Sequence, residues 1–352
     1  MRLVTEVPAP TFAEEARAAL VAELWRETGL AVRSDGVGNV IADVPGGTGP
    51  RVVLAAHLDT VFDRETDVSV REVDGGRWAA PGIGDNSASL AVLTAAVERL
   101  LADARSPRPR LRIAATVGEE GLGDLRGAKA LVAGEHDIDA FVAVDGHLGT
   151  VVHEGVGSRR FEAVFTGPGG HSWGDRGTPS AIHAAGDAVH AVTRVRLPSV
   201  PKSSLGVGVI SGGTAVNAIA AEARFTLDIR SVDGDVLATL EEEAVGRVRS
   251  VARRHGVAVD VRSVGARPAS RGLGNAGLQA AARAALATIG VDAVLTASST
   301  DANAAMGVGI PAICFGVYRG GDAHRASEWI DPASLDDGVE VLLALVQALA
   351  GA

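Results

Sequence analysis

The chain has 352 residues and a formal net charge of −10, a length that favours two cores over one and a sign that argues against nucleic acid, whose phosphates require clustered positive charge. With 47% hydrophobic and 22% charged residues it reads as an ordinary globular protein, and its single cysteine, Cys314 in the apolar run PAICFGV, excludes an internal disulfide. The first residues, MRLVTEVPAPTFAEEARAAL, carry prolines and acids where a secretion signal has a basic start, and no later stretch is long and apolar enough to span a bilayer. A cytoplasmic protein without membrane contact is expected.

In chain order, Thr11 followed by Glu14 forms a capping-box pattern for a helix running to about Thr28, where Gly29 stops it. Strand patterns follow in GNVIADV and RVVLAAHLD, then a helix in NSASLAVLTAAVERLLAD, a strand in RLRIAATVG, a short helix in DLRGAKALVA and a strand in AFVAVDG. Such alternation predicts an α/β architecture around a mostly parallel sheet. From about Ser158 the order becomes strand (RRFEAVFTG), helix (PSAIHAAGDAVHAVTRV), two strands (SLGVGVISG, AEARFTLDIRS), helix (DVLATLEEEAVGRVRSVARRHG) and strand (VAVDVRSVG). That β-α-β-β-α-β order is the ferredoxin-like unit. After about Ala269 the first style returns in NAGLQAAARAALATIG, AICFGVY and SLDDGVEVLLALVQALA. The expectation is a discontinuous α/β domain over 1–157 and 269–352, with a smaller domain inserted at 158–268.

Ligands of open α/β sheets bind beyond the carboxyl ends of the strands, so polar residues at strand ends are candidates. VVLAAHLD ends in His57 and Asp59, GIGDNSAS places Asp85 at a helix start, IAATVGEEG ends in Glu119 and Glu120, and FVAVDGH ends in Asp145. Singly, each has an ordinary structural explanation as a cap, a solvated loop or a hydrogen-bonded histidine. Converging on one sheet edge, the carboxylates would repel one another without a cation among them. Imidazole and carboxylate oxygen suit zinc or a similar divalent ion, and GGDAHRASEW supplies a second imidazole in His324.

The segments HLDTVF, GIGDNSASLAVL, TVGEEGLGDLRGAKAL, GPGGHSWGD and DAHRASEW closely resemble the co-catalytic zinc peptidases and deacylases that include glutamate carboxypeptidase, succinyl-diaminopimelate desuccinylase, acetylornithine deacetylase and tripeptidase T. The resemblance covers nearly the whole chain. It implies two divalent ions, zinc first with cobalt or manganese as alternatives. Asp85 would bridge them, His57 and Asp145 would complete one site, and Glu120 and His324 the other. It further implies Glu119 as general base, Asp59 as the partner that fixes the His57 tautomer, and a cis peptide between Asp85 and Asn86. The inserted domain becomes a lid that dimerises, its His171 reaching the partner subunit's active site to stabilise an oxyanion, with Asn217 and Arg230 binding substrate. His147, His153, His183 and His190 have no counterpart in the pattern.

The chain departs from the family at Ala220, where proline is frequent, and at Ser298 and Ser299, where glycines are frequent. Position 145 carries Asp, as in aminopeptidase-type members, where deacylases carry Glu. The resulting expectation is a two-metal hydrolase of amide bonds in small peptides, tripeptidase-like, with an N-acyl amino acid deacylase or carboxypeptidase as the alternative. A non-catalytic metal or amino-acid binder is opposed by the presence of Glu119 beside the full ligand set. A dinucleotide-binding oxidoreductase fails at GEEGLGDLRG, where Arg126 takes the third glycine position.

Overall fold

Continuous apolar runs build strands covered on both faces, and the computed structural model, which describes residues 1–103 and 108–350, shows them at the centre of a layered sheet. In chain order come α1 (Arg2–Thr5), α2 (Glu15–Glu27), β1 (Val32–Ser34), β2 (Val40–Val44), β3 (Arg51–His57), β4 (Arg71–Val73), β5 (Arg77–Ala79), α3 (Ser89–Ala102), β6 (Arg110–Thr116), α4 (Arg126–Gly134), β7 (Ala140–Val144) and β8 (Thr150–Gly155). The middle of the chain forms β9 (Gly157–Thr166), β10 (Gly170–His171), α5 (Ala181–Val192), β11 (Ser203–Gly212), β12 (Ala218–Ile219), β13 (Glu222–Ser231), α6 (Gly234–His255) and β14 (Ala258–Arg267). The last part adds α7 (Ala276–Ala287), β15 (Val294–Ser298), α8 (Ala302–Met306), β16 (Ala312–Phe315), β17 (Arg319–Gly321), β18 (Trp329–Asp331) and α9 (Ser334–Ala350).

Two units emerge, Met1–Gly155 with Arg271–Ala352, and Val156–Ser270. The first is built on a sheet of order β1-β2-β6-β3-β7-β16-β8-β15, in which β6, β3, β7 and β16 run parallel to one another, β2 runs antiparallel to β6 and β8 runs antiparallel to β16. Alternate residues of each strand feed different cores. Leu54, Ile113, Val142 and Ile313 pack with Trp25, Leu93, Leu286 and Leu342 on one face. Val53, Ala114, Phe141 and Cys314 pack with Leu125, Leu131 and Ala305 on the other. Burying a large side chain of this kind contributes roughly 1.5–3 kcal/mol. A small sheet of order β17-β18-β5-β4 completes the unit.

The second unit is an antiparallel sheet of order β11-β13-β9-β14 with α5 and α6 on one face. Phe161, Phe165, Phe225 and Leu227 point into the helices, packing against Ala184, Leu240 and Val248. The Asp233 carboxylate caps α6 by accepting the Asp235 and Val236 N–H groups, and Gly256 ends it in the left-handed region at φ 67°.

The capping box expected at Thr11 and Glu14 does not form. The helix begins at Glu15 with no side-chain cap, because both side chains are drawn to tertiary partners described below. Strands β8 and β15 have no counterpart in the sequence reading, and α3 starts at Ser89 rather than Asn86, since Ile83–Ala88 is an irregular turn with Asp85 and Asn86 in non-helical conformations.

Candidate metal centre

Four adjacent segments leave the carboxyl ends of the parallel strands and carry the candidate residues of the first unit. His57 closes β3 and is 2% exposed. Its Nδ1 contacts the Asp59 backbone carbonyl at 2.9 Å, whereas the Asp59 carboxylate is 3.6 Å away. The carbonyl therefore takes the tautomer-fixing role expected of the Asp59 side chain, and Nε2 is turned toward Asp85 Oδ1 at 2.9 Å.

The Asp59 carboxylate does something else. It accepts the N–H groups of Glu119 and Glu120, each at 2.9 Å, and the Thr11 hydroxyl at 2.9 Å. Burial would raise its pKa, but His57 and the two N–H groups hold it below the usual carboxylate range. Glu119 and Glu120, both 6% exposed, are thereby fixed through their backbones.

Asp85 sits in the irregular turn before α3, its peptide bond to Asn86 cis as the resemblance implies. The turn is held by Glu328, a residue absent from the sequence-derived set. Glu328 is 1% exposed, and its carboxylate accepts the N–H groups of Gly82 at 3.0 Å and of Gly84 and Asp85 at 2.8 Å each. Burial, with the Asp85 charge adding to it, pushes its carboxyl up to about 7 against those bonds. The approach explains Gly84, where a Cβ would lie 2.9 Å from Glu328 Oε1 and 2.7 Å from the Tyr318 ring.

His324, in the left-handed region at φ 65°, brings Nε2 to 3.0 Å from both Asp85 Oδ2 and Glu120 Oε1. Asp85 thus directs one oxygen at each imidazole. Among the described residues, ligand atoms of His57, Asp85 and Glu120 lie within 4.8 Å of one another, and His57 Nε2 and Asp85 Oδ1 are buried without a hydrogen-bond partner. Donors held about 2.0–2.1 Å from a shared ion stand about 3.3 Å apart, close to these spacings. The donor set fits a divalent cation. Asp145, after β7, stands outside the tight group; burial and then the Asp85 charge push its carboxyl up to about 7.

Burial draws the His57 pKa down, but the Asp59 and Asp85 carboxylates beside the ring outweigh that and hold it well above the usual histidine range. Bonds to Asp85 and Glu120 push His324 up to about 11. Both rings therefore carry protons near neutrality that a metal ion must displace, and Asp145 holds part of another. Apparent metal affinity should rise with pH across the range from about 7 to about 11 that Asp145 and His324 span. Titration calorimetry in buffers of different ionisation enthalpy should show proton release, and uptake of metal without it would show that the rings are neutral in the free protein.

The second unit places His171 and Asn217 together, since His171 pairs with Ala218 in the β10–β12 ribbon and Ser172 N–H donates to the Asn217 carbonyl at 2.9 Å. His171 is exposed. Its Nδ1 accepts the N–H groups of Trp173 and Gly174, both at 3.2 Å, so the neutral ring carries its proton on Nε2. Arg230 lies on the face of the sheet away from the helices, where its Nε donates to Asp228 at 2.6 Å and Arg160 meets the same carboxylate.

Fold and cluster together define a candidate metal centre at the carboxyl edge of an α/β sheet. The chain matches the model of peptidase family M20/M25/M40 over residues 53–348 and belongs to that family. It is 30% identical over 164 residues to an indole-3-acetyl-aspartic acid hydrolase of Enterobacter agglomerans, and 31% identical over 164 residues to one of the component chains of p-aminobenzoyl-glutamate hydrolase of Escherichia coli K12. Each match spans 43% of this chain and 36% of the relative. In fold it is similar to a tripeptidase of Staphylococcus aureus, with a TM-score of 0.83 and 22% identity over 100% of this chain and 97% of that one. A Bacillus subtilis protein described as a dinuclear metal-binding peptidase of the M20 family has a TM-score of 0.72 and 18% identity over 99% of this chain and 96% of that one.

Proposed function

We propose that the chain is a two-metal hydrolase of amide bonds in small peptides, acting from the N-terminus in the manner of a tripeptidase. The observation that carries this reading is the grouping of His57, Asp85, Glu120 and His324 beside a buried Glu119 whose backbone is fixed by Asp59. In this reading His57 and Asp145 would hold one ion and Glu120 and His324 the other, with Asp85 serving both, zinc being the first choice and cobalt or manganese the alternatives. Bound ions supply Lewis acidity toward the scissile carbonyl and lower the pKa of water. Glu119 takes the proton of the attacking water and returns it to the leaving amine, so one carboxylate serves both steps.

His171, presenting Nε2–H, donates to the oxyanion across a dimer formed by the second unit. Support for self-association comes from β11, an edge strand on which Val209 and Ile210 are 60% and 57% exposed. Asn217 and Arg230 bind the substrate, the guanidinium fork matching a carboxylate. A cytoplasmic location agrees with the absence, among the described residues, of any helix long and apolar enough to cross a membrane.

A second reading, N-acyl amino acid deacylase, is favoured by the two relatives named for acyl conjugates of aspartic acid and glutamate. Position 145 separates the two. The shorter aspartate leaves room beside the carboxylates for a free α-amino group, which they attract. Unblocked di- and tripeptides, N-acetylated peptides and N-acyl amino acids should be compared with and without added zinc, cobalt and manganese. Unblocked peptides are expected to have the highest kcat/KM. Faster turnover of N-acyl amino acids would select the deacylase, and inertness toward the whole panel would leave a non-catalytic binder.

A further inference from the structure

The segment Ala9–Glu14 lies against the strand end that carries Asp59. Pro10 pairs with Thr60, and Thr60 N–H donates to the Ala9 carbonyl at 2.8 Å. From this segment the Thr11 hydroxyl reaches Asp59 Oδ2. Glu14, 2% exposed, accepts at Oε1 the N–H groups of Gly118 and Phe12, both at 3.1 Å. Arg126 closes on Glu14 with two bonds of 3.0 and 2.8 Å while its guanidinium lies 5.1 Å from the Phe12 ring centre. Asp59 takes the next two amides, those of Glu119 and Glu120. Three successive N–H groups of the loop bearing both glutamates are therefore held by two buried carboxylates from outside it.

A buried carboxylate is tolerated only when its oxygens are satisfied, and a bidentate guanidinium fixes its plane as well as its charge. We propose that Glu14, oriented by Arg126 and coupled to Asp59 through Thr11, is a positioning residue that sets the 118–120 loop and so aims Glu119, without touching substrate. The kinetic part of this proposal rests on the reading of Glu119 as the base. The geometric part does not. An anchor for α2 alone would change stability and leave the loop and the chemistry as they are.

The test compares the full chain with Glu14→Ala, Glu14→Gln and Thr11→Val by amide hydrogen exchange of peptides covering residues 116–122, metal content, and steady-state kinetics. In Glu14→Ala, exchange in that segment should be at least roughly tenfold faster while the rest of the unit is unchanged. Its kcat should fall about a hundredfold, the effect of a misplacement near 1 Å, with KM within about threefold of the parent. Glu14→Gln, which keeps an acceptor for Gly118, should fall between the two. Thr11→Val, nearly isosteric and clear of Arg126, should show a smaller acceleration in the same segment, and it decides the matter if Glu14→Ala does not fold. Unchanged exchange in a folded Glu14→Ala, or in Thr11→Val where the former does not fold, overturns the proposal. So does a Glu14→Ala protein of lowered melting temperature with parental kcat. Exchange needs no substrate, so a parent that cleaves no amide sinks the functional reading while the position of the loop is still decided.

Discussion

Glu119→Gln is expected to lower kcat by about two to four orders of magnitude, the range over which a positioned general base contributes, while the protein keeps its metal. Glutamine preserves the volume of a side chain at a site that is 6% exposed, and the Asp59 bond is made to the backbone N–H, so the loop has no reason to move. What is lost is the capacity to take a proton. Metal content by elemental analysis and single-turnover rates check this. Loss of metal together with activity would make Glu119 a ligand, and parental activity would assign the base elsewhere.

The second large effect concerns assembly. His171→Ala and Glu119→Gln proteins, each close to inactive, should recover activity when mixed under conditions that allow protomers to exchange. If His171 serves the partner's site, each mixed dimer has one site with both residues intact. Random exchange in a two-fold dimer then restores about a quarter of parental activity. Measured rescue near that level supports action across the dimer. No rescue, with exchange verified by mass, places His171 in its own protomer's site or outside the reaction. The neutral Nε2–H tautomer held by Trp173 and Gly174 suits a donor to a developing negative charge.

Much of the site was legible because it sits where buried strands end. VVLAAHLD and IAATVGEEG pass from unbroken apolar runs into polar residues, and that transition marks the carboxyl edge of a sheet covered on both faces. The ferredoxin-like order was legible from alternation along β13, and along β9 from Phe161 on, where every second residue is buried. Strands β8 and β15 were missed because neither is a fully buried apolar run; β8 mixes buried and partly exposed residues in TVVHEG, and β15 buries none of VLTAS. Thr11 and Glu14 match a local capping pattern, yet their side chains bond across 48 and 104 residues of sequence, and no short-range rule anticipates that. Glu328 left no signal for the same reason, since its partners are backbone amides of a distant turn. The Asp59 role changed because a carbonyl and a carboxylate of one residue compete for the same imidazole, a choice of about an ångström that composition does not encode.

The sheet order has a consequence for how the protein is born. Strand β16 lies between β7 and β8, although β7 and β8 are made first and the whole inserted unit is made before β16 appears. A chain emerging from the ribosome thus carries an open slot beside β7, the strand that precedes Asp145, until β16 is made after the second unit. His57, Asp85, Glu119 and Glu120 are all present by then, but His324 is made only after β16. The cluster therefore draws its last imidazole from one of the last segments to be synthesised, ahead only of β18 and α9.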